Sequence, residues 1–423
     1  MTYPDSVRFL YSLGNEVKTA KYDLQRMATL LDALGHPERL SRIVHVAGTN
    51  GKGSICAMVE SGLRAAGLRT GLFTSPHLLE PTERIRIGGC PVNAARFSAA
   101  FDRVHACAEQ LLNQGALDFH PTYFETVTAM AFLLFQDDNT DTVVLEVGLG
   151  GRLDATNLVR PELCVIAPVD FDHEALLGKS LQAIAGEKAG ILKPAVPVIV
   201  AQQRPEARWA IEKRASELGI EVIHALEKWR PENLEFSPQA SSFTACNGTK
   251  LRIVCPLAGE HQVANALVAV AALDRLGTDP GAIERGIAAA QWPGRLQQVS
   301  VSPEIVLDGA HNPAGARALA AYIRRFYAAR HVVMIYGAMR DKAVEEIAGI
   351  LFPCAGEVIA TAPQQTRAVD PATIQDLMAH PRLRIAPHLA AALDLARHTV
   401  SGGVIFITGS LFLVGEALAL LNR

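Results

Sequence analysis

The sequence predicts an α/β protein in two domains, each built on a mostly parallel sheet. Three observations carry that expectation. Short β-branched runs alternate with longer helical patterns along nearly all of the 423 residues. The strand-like runs are continuously apolar rather than alternating, as expected of strands covered on both faces. The alternation restarts after "WPGR" (292–295), and the length exceeds what one core normally spans.

In chain order, the first strands are expected at "RIVHVAG" (42–48), "TGLFTS" (70–75), "TVVLEVG" (142–148), "LCVIAPV" (163–169) and "VPVIVA" (196–201). Helical patterns fall between them, at "SICAMVESGLRAAG", "PVNAARFSAAFDRVHACAEQLL" and "YFETVTAMAFLLFQ". The stretch 225–256 alternates and carries turn pairs, which predicts a small β-rich insertion. "QWPGRLQQ" (291–298) reads as a hinge, because Pro and Gly end one helical pattern just before a new strand series. That second series is "EIVLDGAH", "HVVMIYGA", "EVIATAP" and "GVIFITGS", each followed by a helix-like segment.

Composition narrows the function class. Hydrophobic residues make up 49% and charged residues 20%, a globular balance, and the net charge of -3 argues against a nucleic-acid binder. The seven cysteines are scattered, with no C-x-x-C pair, and are expected to be reduced core thiols of a cytoplasmic protein. The N-terminus lacks the basic and apolar regions of a signal peptide. The apolar tail "GGVIFITGSLFLVGEALALLNR" is interrupted by Gly409, Ser410 and Glu416, so strand, turn and helix are expected rather than a membrane span.

"VAGTNGKGS" (46–54) departs from the general phosphate loop G-x-x-x-x-G-K-[ST], because Gly53 stands between Lys52 and Ser54. Its context is nonetheless strand, glycine-rich turn, helix. Backbone N–H groups of Asn50, Gly51 and Gly53 at a helix N-terminus make an anion site. Lys52 would reach the outer phosphates and the Ser54 hydroxyl a Mg²⁺ ion. The bland reading is an ordinary βα turn; taken alone, the loop leaves ATP or GTP, and kinase, ligase or motor, open.

Further stretches carry a resemblance. "HVAGTNGKGS", "TSPHLLEPTERIRIGG", "LEVGLGGRLDATN", "GEKAGILK", "GEHQVANALVAVAAL", "WPGRLQ" and "LDGAHNPAGA" occur in order over most of the chain. Together they are similar to the folylpolyglutamate synthase/dihydrofolate synthase family, the folate branch of the Mur ligases, where G-K-G-[ST] is the normal loop ending. The resemblance implies a P-loop Mur-ligase-type domain (1–295) and a smaller Rossmann-like C-terminal glutamate-ligase domain (296–423). It implies ATP-dependent addition of L-glutamate to dihydropteroate and to reduced folates through an acyl phosphate. It also implies Mg²⁺, two ions in all, a monovalent cation beside them, and a cytoplasmic monomer with neither nucleic-acid nor membrane partner.

Residue roles follow on the same basis. Glu146 ends an apolar strand, where an unpaired acid is costly to bury; Mg²⁺ coordination explains it, and capping of the next loop is the plain alternative. His173 and Ser75 resemble ligands of a second Mg²⁺, although imidazole is an unusual ligand for so hard an ion. Lys188 reads from composition as a last-turn lysine complementing the helix dipole. In related enzymes this lysine is carboxylated by CO₂. Asn265 resembles an ATP contact, one helical turn after His261, which is read as structural. Arg295 in the hinge and Asp308 after a strand end resemble contacts to the ATP phosphates and ribose, the bland reading of Arg295 being a surface charge. His311 and Ser410 would face the incoming glutamate, and the two domains would contribute to one cleft. The candidate catalytic set is Lys52, His173, Lys188 and His311.

On the pterin side, Asp23, Leu24, Gln25 and Arg26 of "YDLQRM", Thr122, Tyr123, Phe124 and Glu125 of "TYFE", and Arg152, Leu153 and Asp154 resemble the family's contacts. Gln25 and Met27 depart from its commoner residues. The R-L-D spelling leans towards dihydropteroate use, with Asp154 accepting paired N–H groups of an aminopyrimidine. The alternatives are polyglutamylation alone, a ligase acting on a UDP-linked peptide, and a P-loop ATPase without acceptor. The UDP-linked type is expected to carry a further N-terminal domain, for which the position of Gly48 leaves no room.

Overall fold

A computed structural model describes residues 1–13, 24–400 and 402–422 of the chain. They fall into two compact units. The first comprises Met1–Val169, Leu181–Arg230 and Leu267–Ala289; the second comprises Asp170–Ser180, Pro231–Ala266 and Ala290–Arg423.

The first unit carries an eight-stranded sheet made of β1 (Ile43–Ala47), β2 (Thr70–Phe73), β3 (Ile85–Ile87), β4 (Cys90–Pro91), β5 (Thr142–Glu146), β6 (Leu163–Ile166), β7 (Val198–Val200) and β8 (Val222–His224). The order is β4-β3-β2-β5-β1-β6-β7-β8; β3 pairs antiparallel with both β2 and β4, and the other neighbours pair parallel. Every residue of β1, β2, β5, β6 and β7 is buried, so these runs have no polar face to alternate with. The β3–β4 hairpin is absent from the expected strands because it is so short. Its turn is nonetheless legible: Gly88 and Gly89 have φ of 58° and 82°, the left-handed pair that a type I′ hairpin turn needs.

Helix Lys52–Ala65 packs on helix Pro280–Ala288 by close backbone approach. A Cβ added to Gly286 would lie 2.3 Å from the Gly62 Cα, and neither backbone can yield cheaply. The Gly286→Ala protein is therefore expected to lose about 1–3 kcal/mol of stability, read as a lower denaturant midpoint at unchanged slope. An unchanged midpoint would mean that the helices separate freely.

The β-rich insertion is a three-stranded sheet of β9 (Arg230–Phe236), β10 (Ser241–Asn247) and β11 (Thr249–Cys255), in the order β11-β10-β9, with β10 and β11 antiparallel. The second unit's main sheet has six strands, β12 (Gln297–Val301), β13 (Glu304–Leu307), β14 (Val332–Tyr336), β15 (Glu357–Ala360), β16 (Leu383–Ile385) and β17 (Val404–Thr408). Their order is β12-β13-β17-β14-β15-β16, and only β12 is antiparallel to its neighbour. The apolar tail is β17 followed by helix Leu411–Leu421, and no helix among the described residues is long and apolar enough to cross a membrane.

One expectation is corrected. The cysteines are free thiols, but only Cys56, Cys164 and Cys255 are fully buried; Cys107, Cys246 and Cys354 are partly buried and Cys90 is exposed. Apolar sequence neighbours do not decide which face of a strand or helix a thiol occupies.

Candidate active site

In the first unit the phosphate loop leaves β1 and enters helix Lys52–Ala65. Gly51 has φ 79°, and at Gly48 a Cβ would sit 2.6 Å from that of Ala167, so side chains are excluded at both turns. The loop is tied to the end of β6, since the Thr49 and Asn50 N–H groups donate to the Pro168 carbonyl at 2.9 and 3.1 Å. The helix's first backbone bond runs from Ile55 N–H to the Gly51 carbonyl, so the N–H groups of Lys52, Gly53 and Ser54 lie in its first turn.

Five expected residues meet here. The Glu146 carboxylate is 4% exposed at the end of β5, 4.0 Å from Lys52 Nζ, and accepts the Ser75 N–H at 3.0 Å. Ser54 is buried on the helix's first turn. Lys188 lies in the last turn of helix Leu181–Ala189, as its sequence position suggests, but it is 4% exposed and its Nζ donates to the Gly48 carbonyl at 2.9 Å. A lysine complementing a helix dipole would stay in water; this one sits behind the phosphate loop.

The GLGG loop is held by a network that runs back to β1. Asp154 Oδ2 accepts the Gly148 and Leu149 N–H groups at 3.0 and 2.9 Å. Its Oδ1 accepts the Thr156 N–H at 3.0 Å and the Thr156 hydroxyl at 2.5 Å. Burial pushes this carboxyl's pKa up, against the pull of those same bonds. Four donors fill a carboxylate's acceptor positions, so Asp154 fastens the loop in this structure and its oxygens are not turned out to a ligand. Because the Thr156 hydroxyl donates to Asp154, its oxygen accepts from His45 Nε2–H at 2.8 Å.

His45 is fully buried in β1, its Nδ1 has no partner among the described residues, and burial holds its pKa down to about 3. The unfolded chain therefore takes up a proton below the ordinary histidine pKa of about 6.5 that the folded chain refuses. Stability should be untouched above that pH and fall as pH drops towards 3. Relative to the His45→Gln protein, wild type should lose about 2 kcal/mol more between pH 7 and 5, measured by urea unfolding. Equal losses would remove His45 from the account.

The pterin-side candidates of the first unit partly assemble. Arg26 Nε donates to Glu125 Oε2 at 2.7 Å, joining two stretches 99 residues apart. Glu125 also closes a capping box with Thr122, which starts helix Tyr123–Asp137. Tyr123 stacks on Tyr11 with ring centroids 5.7 Å apart, and Arg84 lies over its ring at 5.0 Å. The Phe124 ring occupies the space a Gly148 side chain would need. Leu24 and Gln25 begin helix Gln25–Ala33, and Arg152 pairs with the partly exposed Glu187 at 3.0 Å. Leu153 follows in the same turn, and Asp23 lies outside the described residues.

In the second unit, Asp308 and His311 follow the end of β13, and Ser410 the end of its neighbour β17, where open α/β sheets bind ligands. Asp308 accepts the Leu296 and Ala310 N–H groups at 3.0 and 2.9 Å. Burial pushes its pKa up, and Arg295 opposes that. A side chain at Gly309 would collide with Leu411 and Arg295, so the two turns sit against one another. Ser410 caps helix Leu411–Leu421 by accepting the Phe412 N–H at 3.1 Å. Asn265 is buried and donates to Gln262 at 2.9 Å, whereas His261 on the same helix is exposed.

His311 Nδ1–H donates to the Gly309 carbonyl at 2.7 Å, which leaves Nε2 as the acceptor. A quarter of the side chain (26%) is accessible, yet the protein packed around it, and then the Lys342 cation, hold its pKa down to about 4. Two residues that sequence reasoning missed organise this corner. Asp172 pairs with Lys342 at 2.7 Å, 3.8 Å from both His173 and His311 and 3.4 Å from Asn312. Burial raises the Asp172 pKa, but Lys342, then His173 and His311, bring it well below the usual carboxylate range. Lys342 also donates to His173 Nε2 at 3.2 Å, so that lone pair faces a cation. Asp172 stood beside a residue already singled out; Lys342, after β14, had no local signal.

The Mur ligase middle domain matches residues 46–273, and the Mur ligase glutamate ligase domain matches residues 294–411. The chain is 33% identical to a folylpolyglutamate synthase of Lacticaseibacillus casei, over 98% of this chain and 97% of that one. It is 34% identical to a dihydrofolate synthase/folylpolyglutamate synthase of Mycobacterium tuberculosis, over 95% of this chain and 90% of that one. The structure superposes on the Mycobacterium tuberculosis folylpolyglutamate synthase complexed with ADP and AMPPCP with a TM-score of 0.93 at 32% identity. That likeness covers 100% of this chain and 99% of that one.

Proposed function

The chain belongs to the Mur ligase family, in its folylpolyglutamate synthase/dihydrofolate synthase branch, and on that premise we propose a bifunctional ATP-dependent ligase. It adds L-glutamate to the carboxylate of dihydropteroate and to the glutamate tail of reduced folates. The observation that carries this is the phosphate loop of β1, with Lys52, Ser54, Ser75 and Glu146 gathered around it, in a chain that matches such ligases nearly end to end.

The substrate carboxylate attacks the γ-phosphorus of ATP, forming an acyl phosphate and releasing ADP. The neutral glutamate amine then attacks the acyl carbon, the amide C–N bond forms, and inorganic phosphate leaves with the electron pair of the broken C–O bond and takes up the proton the nitrogen loses. Lys52 and the first-turn N–H groups balance the charge of the triphosphate. The oxygen donors Ser54, Ser75 and Glu146 suit a hard Mg²⁺ ion, which when bound screens that charge and polarises the phosphoryl oxygens. Lys188 is the residue we assign to CO₂ addition, its neutral amine forming the N–C bond as a proton leaves. Arg295 and Asp308 are assigned to the nucleotide. His311, whose Nδ1–H is held by the Gly309 carbonyl, is assigned to orienting the glutamate amine through Nε2.

Phosphate release from Mg-ATP tests this, with dihydropteroate, tetrahydrofolate or a UDP-peptide each offered with glutamate. Release that requires glutamate together with either of the first two is expected. Release indifferent to every acceptor would sink the ligase reading, and dependence on tetrahydrofolate alone would reduce it to polyglutamylation.

A further inference from the structure

We propose that His105, Glu109 and His120 form a binding site for a divalent transition-metal ion of the Zn²⁺ class, in the first unit and apart from the nucleotide loop. His105 and Glu109 are one turn apart on helix Ala94–Asn113, so they share a face. His120 lies beyond that helix, two residues before Thr122, which caps the next one. One ligand atom from each of the three lies within 4.8 Å of the others.

The spacing fits a tetrahedral ion. Metal–ligand bonds of about 2.0–2.1 Å place ligand atoms about 3.3 Å apart. His105 Nδ1 and His120 Nε2 are already 3.4 Å apart, and Glu109 Oε1 is 3.9 Å from each. The Glu109 side chain is 48% exposed, so nothing opposes the small closure it must make. The two rings, in contrast, are fixed. His105 stacks on Phe101 at 5.4 Å, and Phe9 presents its ring to His105 at 4.6 Å and to His120 at 5.3 Å.

The tautomer of His120 is set as well. Its Nδ1–H donates to the Pro121 carbonyl at 3.0 Å, which leaves the Nε2 lone pair directed at the cluster. A carbonyl partner on the far ring nitrogen is the usual orienting device of a metal-ligating histidine. In the metal-free protein His105 Nδ1–H donates to that lone pair. On binding, His105 carries its proton on Nε2 instead, with no net proton released. Two nitrogens and one oxygen favour Zn²⁺, Co²⁺ or Ni²⁺ over Mg²⁺ or Ca²⁺, and three protein ligands leave a fourth position for water. The bound ion would tie helix Ala94–Asn113 to the chain just before the Thr122–Glu125 capping box, and so to the Glu125–Arg26 pair.

The test is Co²⁺ titration of the untagged, chelator-treated full chain without nucleotide. One equivalent should give the intense visible bands of tetrahedral Co²⁺, bleached by Zn²⁺, whereas ions on the oxygen donors of the phosphate loop are octahedral and nearly colourless. His120→Ala should abolish the bands. Glu109→Gln changes an exposed side chain and leaves the fold undisturbed; it should weaken Co²⁺ binding at least tenfold and abolish the rise in unfolding temperature that Zn²⁺ gives the wild type. Only weak octahedral absorption, or equal titrations of wild type and Glu109→Gln, would overturn the proposal.

Discussion

Replacing Lys52 by Ala is expected to lower kcat/KM for ATP by about 10²–10³, the cost of removing one preorganised charge from a developing phosphoryl transition state. Lys52 sits at the helix N-terminus with 16% of its side chain accessible, placed to act on an anion arriving from solvent. The loss should appear mainly in kcat, because the first-turn N–H groups still hold the triphosphate. A competing effect is that Glu146 loses the Lys52 cation. A buried carboxylate stripped of its partner costs about 3–5 kcal/mol, but this pair is 4.0 Å apart and Glu146 keeps the Ser75 N–H. The stability change should therefore fall well short of that figure. The double variant Lys52→Ala/Glu146→Gln separates the effects, since it should recover stability and stay inactive. A Lys52→Ala protein turning over at the wild-type rate would take the loop out of the mechanism.

Lys188→Ala is the second large effect, with a loss of at least about 10² in kcat. The fold is expected to persist, since the amine's hydrogen bond to the Gly48 carbonyl is worth about 1–3 kcal/mol. What the variant alone does not separate is a bare cation from a carboxylated lysine. Wild-type enzyme assayed in CO₂-depleted buffer does: activity should fall and return on adding bicarbonate, while the Lys188→Ala protein stays indifferent to both. Activity independent of CO₂, together with a dead Lys188→Ala variant, would assign the role to the ammonium form.

Much of the fold was legible because its signals are local. The all-apolar runs of β1, β5 and β6 follow from burial on both faces. The phosphate loop is complete within one strand, turn and helix. Other features had a signal that was read for something else. The R-L-D spelling marks Asp154 as a pterin contact, but its four hydrogen-bond donors come from its own loop. Its acceptor positions are filled by folding before any ligand arrives.

The sequence by itself determined the two mostly parallel sheets, the phosphate loop and the acid at the end of β5, because each is written in residues a few positions apart. Only the tertiary structure decided which distant groups meet. Lys342 reaches Asp172 across 170 residues, His45 reaches Thr156 across 111, and Lys188 reaches Gly48 across 140. No pattern of period 2 or 3.6 encodes such meetings. They arise when whole sheets and helices pack and a buried charge or imidazole must find its partner or shift its pKa.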